Sequence, residues 1–188
     1  IVDGYVSGGN NPSTSGVTDT IDKFSFVSDS NATDFSDLAI PKSRAAGQSS
    51  AVSGYSSGGV NVTPTTSSVT TSIDKFPFSV RADAATIGDL TLARSQVAGH
   101  SSDVSGYTSG GSGEPVTYNF DTFYNTIDKF PFAADANSVD VGDLTQSKDD
   151  FAGQNSETHG YTSGGFIRGS LNAPVFTYDV DPVNTIDK

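Results

Sequence analysis

The sequence predicts an all-β fold assembled from repeated units of four short antiparallel strands. Three observations carry this. The phrase "GYVSGG" at Gly4–Gly9 returns as "GYSSGG" at Gly54–Gly59 and as "GYTSGG" at Gly106–Gly111 and Gly160–Gly165. Phenylalanines recur two residues apart, at Phe24 and Phe26, Phe76 and Phe78, and Phe130 and Phe132, which places each pair on one face of a strand. No segment shows a convincing helical period, and the apolar runs are separated by Gly, Ser, Thr, Asp and Asn, which form turns.

Each element of the unit follows in chain order. The markers Tyr5, Tyr55, Tyr107 and Tyr161 begin a short Gly-bounded strand, and they are 50, 52 and 54 residues apart. Next comes a polar segment of variable length, then a strand reading "TIDKFSF" at Thr20, "SIDKFPF" at Ser72 and "TIDKFPF" at Thr126; the chain ends on "TIDK" at Thr185–Lys188. Pro77 and Pro131 between the Phe pairs mark a strand end or a position without a ladder partner. An acidic turn leads to a third strand carrying "SDLA" at Ser36 and "GDLT" at Gly88 and Gly142. A fourth strand, "AAGQSS" at Ala45, "VAGHSS" at Val97 and "FAGQNS" at Phe151, has small residues that permit close packing.

The spacing between elements separates scaffold from loop. From Ile21, Ile73 and Ile127 to the following Leu38, Leu90 and Leu144 is 17 residues each time, and from each Leu to the next marker Tyr is again 17. All length variation falls between the Gly-Gly pair and the IDK phrase, where the separations are 12, 14, 16 and 21. A packed scaffold refuses insertions and a surface loop accepts them. The chain reads as one repeat domain, 1–188, with units near 1–44, 45–96, 97–150 and 151–188.

Four strands in about fifty residues match one blade of a β-propeller. The run "RSQVAGHSSDVSGYTSGG" from Arg94, followed by "TIDKFPF" from Thr126, resembles the kelch motif: a basic residue, small residues, a Tyr two residues before Gly-Gly, then an aromatic strand. The phrases "GYTSGG" and "IDKFPFAADANSVDVGDLT" are also similar to kelch-like repeats of marine bacteriophage and bacterial structural proteins. The resemblance spans nearly the whole chain. It departs from typical kelch in having no Trp, with Leu38, Leu90 and Leu144 standing where that residue would pack.

The strand tally is fourteen, because the first unit lacks its AGQSS strand and the last lacks its DL strand. A free-standing arc would expose sheet edges. Three arrangements remain open: an incomplete arc belonging to a larger ring, an assembly in which other chains supply the missing strands, or a small imperfect ring or non-propeller β stack. The chain opens inside a repeat without an initiator Met, which suggests a processed product or a portion of something longer.

Composition narrows function. The net charge of −12 repels phosphate backbones and anionic membranes, so neither nucleic acid nor membrane insertion is expected. The absence of Cys removes thiol chemistry and Cys/His zinc sites. The copper site of kelch-like oxidases needs Cys and several His; this chain has no Cys and only His100 and His159. No carboxylate stands out from the repeat as a glycosidase acid, and no enzyme is expected. The sequons at Asn31 and Asn61 matter only in a eukaryotic secretory route.

The polar residues that recur are expected to be structural. Asp22, Asp74, Asp128 and Asp187 precede Lys23, Lys75, Lys129 and Lys188; Asp37, Asp89 and Asp143 precede Leu; Lys42, Arg94 and Lys148 follow five residues later. A catalytic group is needed once, whereas a tie between neighbouring units is needed in every unit. With Tyr5, Tyr55, Tyr107 and Tyr161, these residues are therefore read as the ties and anchors of the repeat. The Gly-Gly pairs supply φ > 0 and close packing rather than a phosphate cradle.

Two candidate sites remain. In the acidic turns, Asp29, Asn31 and Asp34 of the first unit and Asp135, Asn137 and Asp140 of the third offer oxygens of the kind Ca²⁺ takes. The second unit breaks the pattern with Arg81 and Thr86, and Asx-turn chemistry explains these residues without metal. The third and fourth variable segments carry Tyr118, Phe120, Phe123, Tyr124, Phe166, Arg168, Phe176 and Tyr178. Such aromatics either contact a protein partner or a glycan, or extend the flanking strands. The expected function is a non-enzymatic structural or attachment protein of a virion or fibre, extracellular, with other chains of the assembly as partners. The alternatives are a surface carbohydrate-binding propeller of a bacterium and, third, a lyase or hydrolase on the same fold.

Overall fold

The computed structural model describes residues 3–11, 13, 16–62, 67–113, 122–168 and 180–188. The architecture is all-β; no helix occurs among the described residues, and every sheet is antiparallel with two to four strands. The first unit folds as β1 (Asp3–Asn11), β2 (Gly16–Ser25) and β3 (Thr33–Asp37). The second forms β4 (Ala46–Ser49), β5 (Ser53–Ser57), a ribbon of β6 (Val60–Val62) and β7 (Ser67–Val69), then β8 (Ser72–Pro77) and β9 (Ala85–Asp89). The third comprises β10 (Ala98–Ser101), β11 (Ser105–Ser109), β12 (Thr126–Pro131) and β13 (Val139–Asp143). The fourth holds β14 (Ala152–Asn155), β15 (Gly160–Ser163), a ribbon of β16 (Phe166–Arg168) and β17 (Val180–Pro182), and β18 (Ile186–Asp187).

Sheet order repeats with the sequence. The second and third units each make a four-stranded sheet, β4-β5-β8-β9 and β10-β11-β12-β13; the first and fourth make β1-β2-β3 and β14-β15-β18. The register is identical from unit to unit, with Tyr5 opposite Lys23, Tyr55 opposite Lys75 and Tyr107 opposite Lys129. On the other side, a bulge between Ile and Asp recurs in the first three units, at Ile21/Asp22, Ile73/Asp74 and Ile127/Asp128.

The variable segment is not simply a loop. It extends the flanking strands in the first unit and forms separate two-stranded ribbons in the second and fourth. Its stem is anchored by bridges of Ser43 to Val60, Ser95 to Ser112 and Asp149 to Phe166. Insertions thus lengthen a ribbon that leaves the sheet, and the core does not register them.

The hydrophobic core lies between sheets, in three clusters. Ile21, Leu38, Phe76 and Ala84 form the first, with Tyr5, Phe35 and Phe78 at its margin. Tyr55, Ile73, Leu90 and Phe130 form the second, with Ile87 and Phe132 beside it. Ala98, Leu144 and Phe151 form the third, with Ile127 against it. The Phe pairs of the second and third sheets reach back to the Tyr of the sheet before: Phe78 stacks on Tyr5 at 4.6 Å and Phe132 on Tyr55 at 4.7 Å between centroids. Each stacked pair adds roughly 0.5–1.5 kcal/mol beyond area burial.

The strands β4, β10 and β14 pack side by side across sheets. Between the third strand and the AGQSS strand the chain makes a bend held by a left-handed residue in the same place each time: Arg44 (φ 56°), Gln96 (φ 57°) and Asp150 (φ 50°). The amide of Gln96 donates to the carbonyl of Arg44, and that of Asp150 to the carbonyl of Gln96, so these residues link successive sheets through backbone. Non-Gly residues pay for this conformation. Arg44 has an exposed side chain. Arg44→Gly is therefore expected to raise stability by roughly 0.5–1 kcal/mol in urea unfolding; a loss of that size would mean the arginine side chain outweighs the strain.

Candidate functional site

The recurring charged residues meet between sheets. Lys42, on the connection leaving the first sheet, extends into the second, where its Nζ lies 3.1 Å from Asp74 Oδ2 and donates to Ser56 O at 3.1 Å and Ser72 Oγ at 3.0 Å. Arg94 repeats this from the second sheet to the third, with Nη2 3.1 Å from Asp128 Oδ2 and 2.9 Å from Thr108 O. Lys148 repeats it from the third to the fourth, 2.7 Å from Asp187 Oδ2. The side chains of Lys42, Asp74, Arg94, Asp128 and Lys148 are fully buried.

Hydroxyls and amides complete each pair. Thr86 Oγ1 donates to Asp74 at 2.8 Å; Thr91 donates to Asp128 from its amide at 3.0 Å and its hydroxyl at 2.7 Å; Thr145 and Thr162 hydroxyls donate to Asp187. Burial raises the Asp187 carboxyl, but hydrogen bonds from Lys148 and Thr145 and the Lys148 charge outweigh it, so the pKa lies below its ordinary value. Burial pushes the Lys42 ammonium and the Arg94 guanidinium down, and Asp74 and Asp128 oppose that. Among the described residues no cation pairs with Asp22.

The Gly-Gly pair places the buried cation. Gly59 N donates to Arg94 O at 2.9 Å, as Gly9 N does to Lys42 O and Gly111 N to Lys148 O. Gly58 and Gly59 have φ of 64° and 101°, and a Cβ on Gly58 would stand 2.6 Å from Arg94 O. Only glycine combines that conformation with that approach.

The lysines next to the aspartates turn to the other face of the strand. Lys75 crosses to the next unit's acidic turn and meets Asp135 at 2.8 Å; Lys23 meets Asp3 within its own sheet at 2.9 Å; Lys129 lies 5.8 Å from the Tyr107 ring centroid. The pairing is therefore between distant members of the repeat and not between sequence neighbours. The acidic turns themselves brace sheets. Asn137 Oδ1 accepts from Asp89 N at 3.1 Å and Ser138 N donates to Asp89 O at 2.8 Å, while Asp34 meets Arg81 at 3.3 Å and Asp140 Oδ1 accepts from Gly142 N at 3.0 Å. Asp29 and Asn31 are exposed. Among the described residues no three acidic or His side chains converge on a point where a cation would sit.

Of the aromatic candidates, Phe123 bridges to Ser112 and is half-buried; Tyr124 is half-buried with its ring against Gly113. Phe166 lies on β16 at 37% exposure, and Arg168 ends that strand. Tyr118, Phe120, Phe176 and Tyr178 lie outside the described residues.

One column of residues escapes sequence reasoning. Gln48, His100 and Gln154 lie on β4, β10 and β14 opposite the marker tyrosines Tyr55, Tyr107 and Tyr161, and their side chains reach Ser57, Ser109 and Ser163 of the adjoining strand. Gln48 Nε2 donates to Ser57 Oγ at 2.8 Å and, across to the third sheet, to Tyr107 O at 3.0 Å. His100 Nδ1 lies 3.2 Å from Gln154 O in the fourth sheet, and Nε2 lies 3.0 Å from Ser109 Oγ. A carbonyl only accepts, so Nδ1 carries the proton and Ser109 donates to Nε2. This Ser–His contact occupies the place of a Gln–Ser contact and belongs to packing. The alternation AGQ, AGH, AGQ was its sequence signal.

Burial holds the His100 pKa below its ordinary value, with the Gln154 carbonyl opposing. The unfolded chain then takes up the proton more readily, so this contribution to stability is complete above about pH 6.5 and declines as pH falls toward the folded value. Melting temperature is expected to drop between pH 7 and pH 5, and His100→Gln is expected to remove that drop. An unchanged pH profile in the variant would show that other groups set it.

No family model matches the chain, and no curated protein matches it. Among solved structures, that of YjhT superimposes with a TM-score of 0.70 at 12% identity, over 87% of this chain and 54% of that one. The chain thus spans about half of that protein's length, and the likeness is one of fold.

Proposed function

We infer that the chain is a non-enzymatic structural or attachment module, kelch-like and of β-propeller type, whose sheets are blades of a larger ring or assembly. One observation carries this reading: at three successive junctions a buried cation of one unit pairs with an aspartate of the next, as Lys42–Asp74, Arg94–Asp128 and Lys148–Asp187. A hydrolytic or lyase site needs a carboxylate or base that is set apart from the scaffold. Diversity is confined instead to the ribbons between Gly-Gly and IDK, which is where a binding surface can change without disturbing the frame. The resemblance to phage and bacterial structural repeats supports an extracellular or virion location, with other chains of the assembly as partners. The role needs no cofactor.

Light scattering on material from the natural source tests this. The expected result is a defined particle or complex well above the 19.4 kDa of the chain. A monodisperse 19.4 kDa species that turns over a polysaccharide, and stops doing so on changing one carboxylate, would overturn it. Glycan retention abolished by Phe166→Ala, without assembly, would instead favour the carbohydrate-binding alternative.

A further inference from the structure

Side chains in one row of the repeat cross between neighbouring sheets, and one of them can change its charge. Gln48 makes the crossing from the second sheet to the third: its Nε2 donates to Tyr107 O at 3.0 Å and to Thr108 Oγ1 at 3.1 Å. His100 makes the crossing from the third sheet to the fourth, with Nδ1 donating to Gln154 O at 3.2 Å and Nε2 accepting from Ser109 Oγ at 3.0 Å. An amide keeps its donors and acceptors at every pH, whereas an imidazole exchanges an acceptor for a donor when it takes up a proton.

The surroundings of His100 suit the neutral ring. The residue is 6% exposed and Ser109 is 1% exposed. Once the ring is protonated both of its nitrogens donate, so the Ser109 hydroxyl must turn to accept, and its own proton loses its acceptor. The strands packed against β10 are β4, β11, β14 and β15, and their titratable groups are Tyr107 and Tyr161. The ionisable side chains farther along the same space are Asp143, Glu157, His159, Asp187 and Lys188, of which Asp187 is held by Lys148. What opposes burial at the ring is the Gln154 carbonyl and not a carboxylate. A buried charge without a counter-charge is costly, and the cost is relieved when water reaches it. The ring's own sheet does not yield easily, because β10 is paired with β11 along its whole length. The fourth sheet, by contrast, only rests on the ring: a Cβ on Gly153 would stand 3.1 Å from His100 Cε1, and one on Gly160 3.2 Å from His100 Cγ.

We propose that His100 is an acid-sensitive latch, whose protonation loosens the fourth sheet from the third while the junction of the second and third sheets, latched by Gln48, stays closed. Opening returns the ring to water, where it takes up a proton near pH 6.5. Below that pH the open form gains by up to about tenfold per pH unit, until the closed ring itself titrates. The Lys148–Asp187 pair at the same junction persists through mild acid, because the Asp187 carboxyl titrates below its ordinary range. The fourth sheet would thus stay tethered, with only its seat on β10 released.

Two backbone amides report the two junctions separately. Asp150 N donates to Gln96 O between the fourth and third units, and Gln96 N donates to Arg44 O between the third and second. Hydrogen exchange of the whole chain, resolved by NMR and corrected for the intrinsic pH dependence of exchange, compares them at pH 7 and pH 5. Asp150 is expected to lose about tenfold or more in protection at pH 5 while Gln96 holds. His100→Gln, which installs the residue of the other two units, should abolish that loss, and His159→Gln, on an exposed turn, should leave it in place. Protection of Asp150 that does not change, that falls equally with Gln96, or that still falls in the His100→Gln chain overturns the proposal. If that variant fails to fold, the comparison of the two amides in the parent chain still decides.

Discussion

Asp128→Ala is expected to lower stability by about 3–5 kcal/mol. The substitution leaves the Arg94 guanidinium fully buried with no counter-charge, and it leaves the Thr91 amide and hydroxyl without their acceptor. Removing one member of a buried pair is costly because the other stays desolvated. Arg94→Lys is expected to fall within about 1 kcal/mol of the parent. Lysine already fills this slot at Lys42 and Lys148, and Arg94 Nε and Nη1 are buried without a hydrogen-bond partner among the described residues. Replacing both partners together, by Arg94→Met with Asp128→Leu, should recover much of the loss, since an apolar pair needs no compensation. Urea unfolding measures all three. A cost below about 1 kcal/mol for Asp128→Ala would mean that water reaches the pair and that it does not hold the sheets.

Gly99→Ala is expected to cost about 2–3 kcal/mol, while Gly47→Ala, the same substitution in the same phrase one unit earlier, is expected to be close to neutral or slightly stabilising. A Cβ on Gly99 would overlap the Gly47 carbonyl oxygen, a backbone atom that cannot rotate away. A Cβ on Gly47 meets nothing within 4 Å among the described residues, so the same substitution there tests the residue without the close approach. Gly153 should behave like Gly99, since its Cβ would stand 2.7 Å from Gly99 O. The contrast isolates strand-to-strand approach from the intrinsic propensity of glycine, which is common to all three sites. Equal costs at Gly47 and Gly99 would show that β4 and β10 do not pack this closely in solution.

Much of the fold was legible in the sequence, because the unit is written more than once and each copy constrains the others. The Phe pairs marked strand faces, and the constant 17-residue spacings marked the rigid frame. The variable segment was legible as the place of insertion but not as ribbon. Val60–Val62 and Ser67–Val69 are short and polar, and their pairing depends on the anchor between Ser43 and Val60. The repeated charges were legible as ties between units, yet their partners were not. Asp74 and Lys75 are adjacent in sequence but point to opposite faces, so Asp74 turns to Lys42 of the sheet before and Lys75 to Asp135 of the sheet after.

What the sequence by itself determined is therefore local and periodic: which residues form strands, which face each Phe takes, and where length is free to change. Those properties depend on φ/ψ preference and on alternation along one strand, and repetition averages out their ambiguity. Only the tertiary structure decided which sheet faces which, and with it the inward path of Arg94, the close approach at Gly99 and the left-handed turn at Gln96. These depend on distances between units some fifty residues apart, and no pattern within one unit encodes a distance to the next.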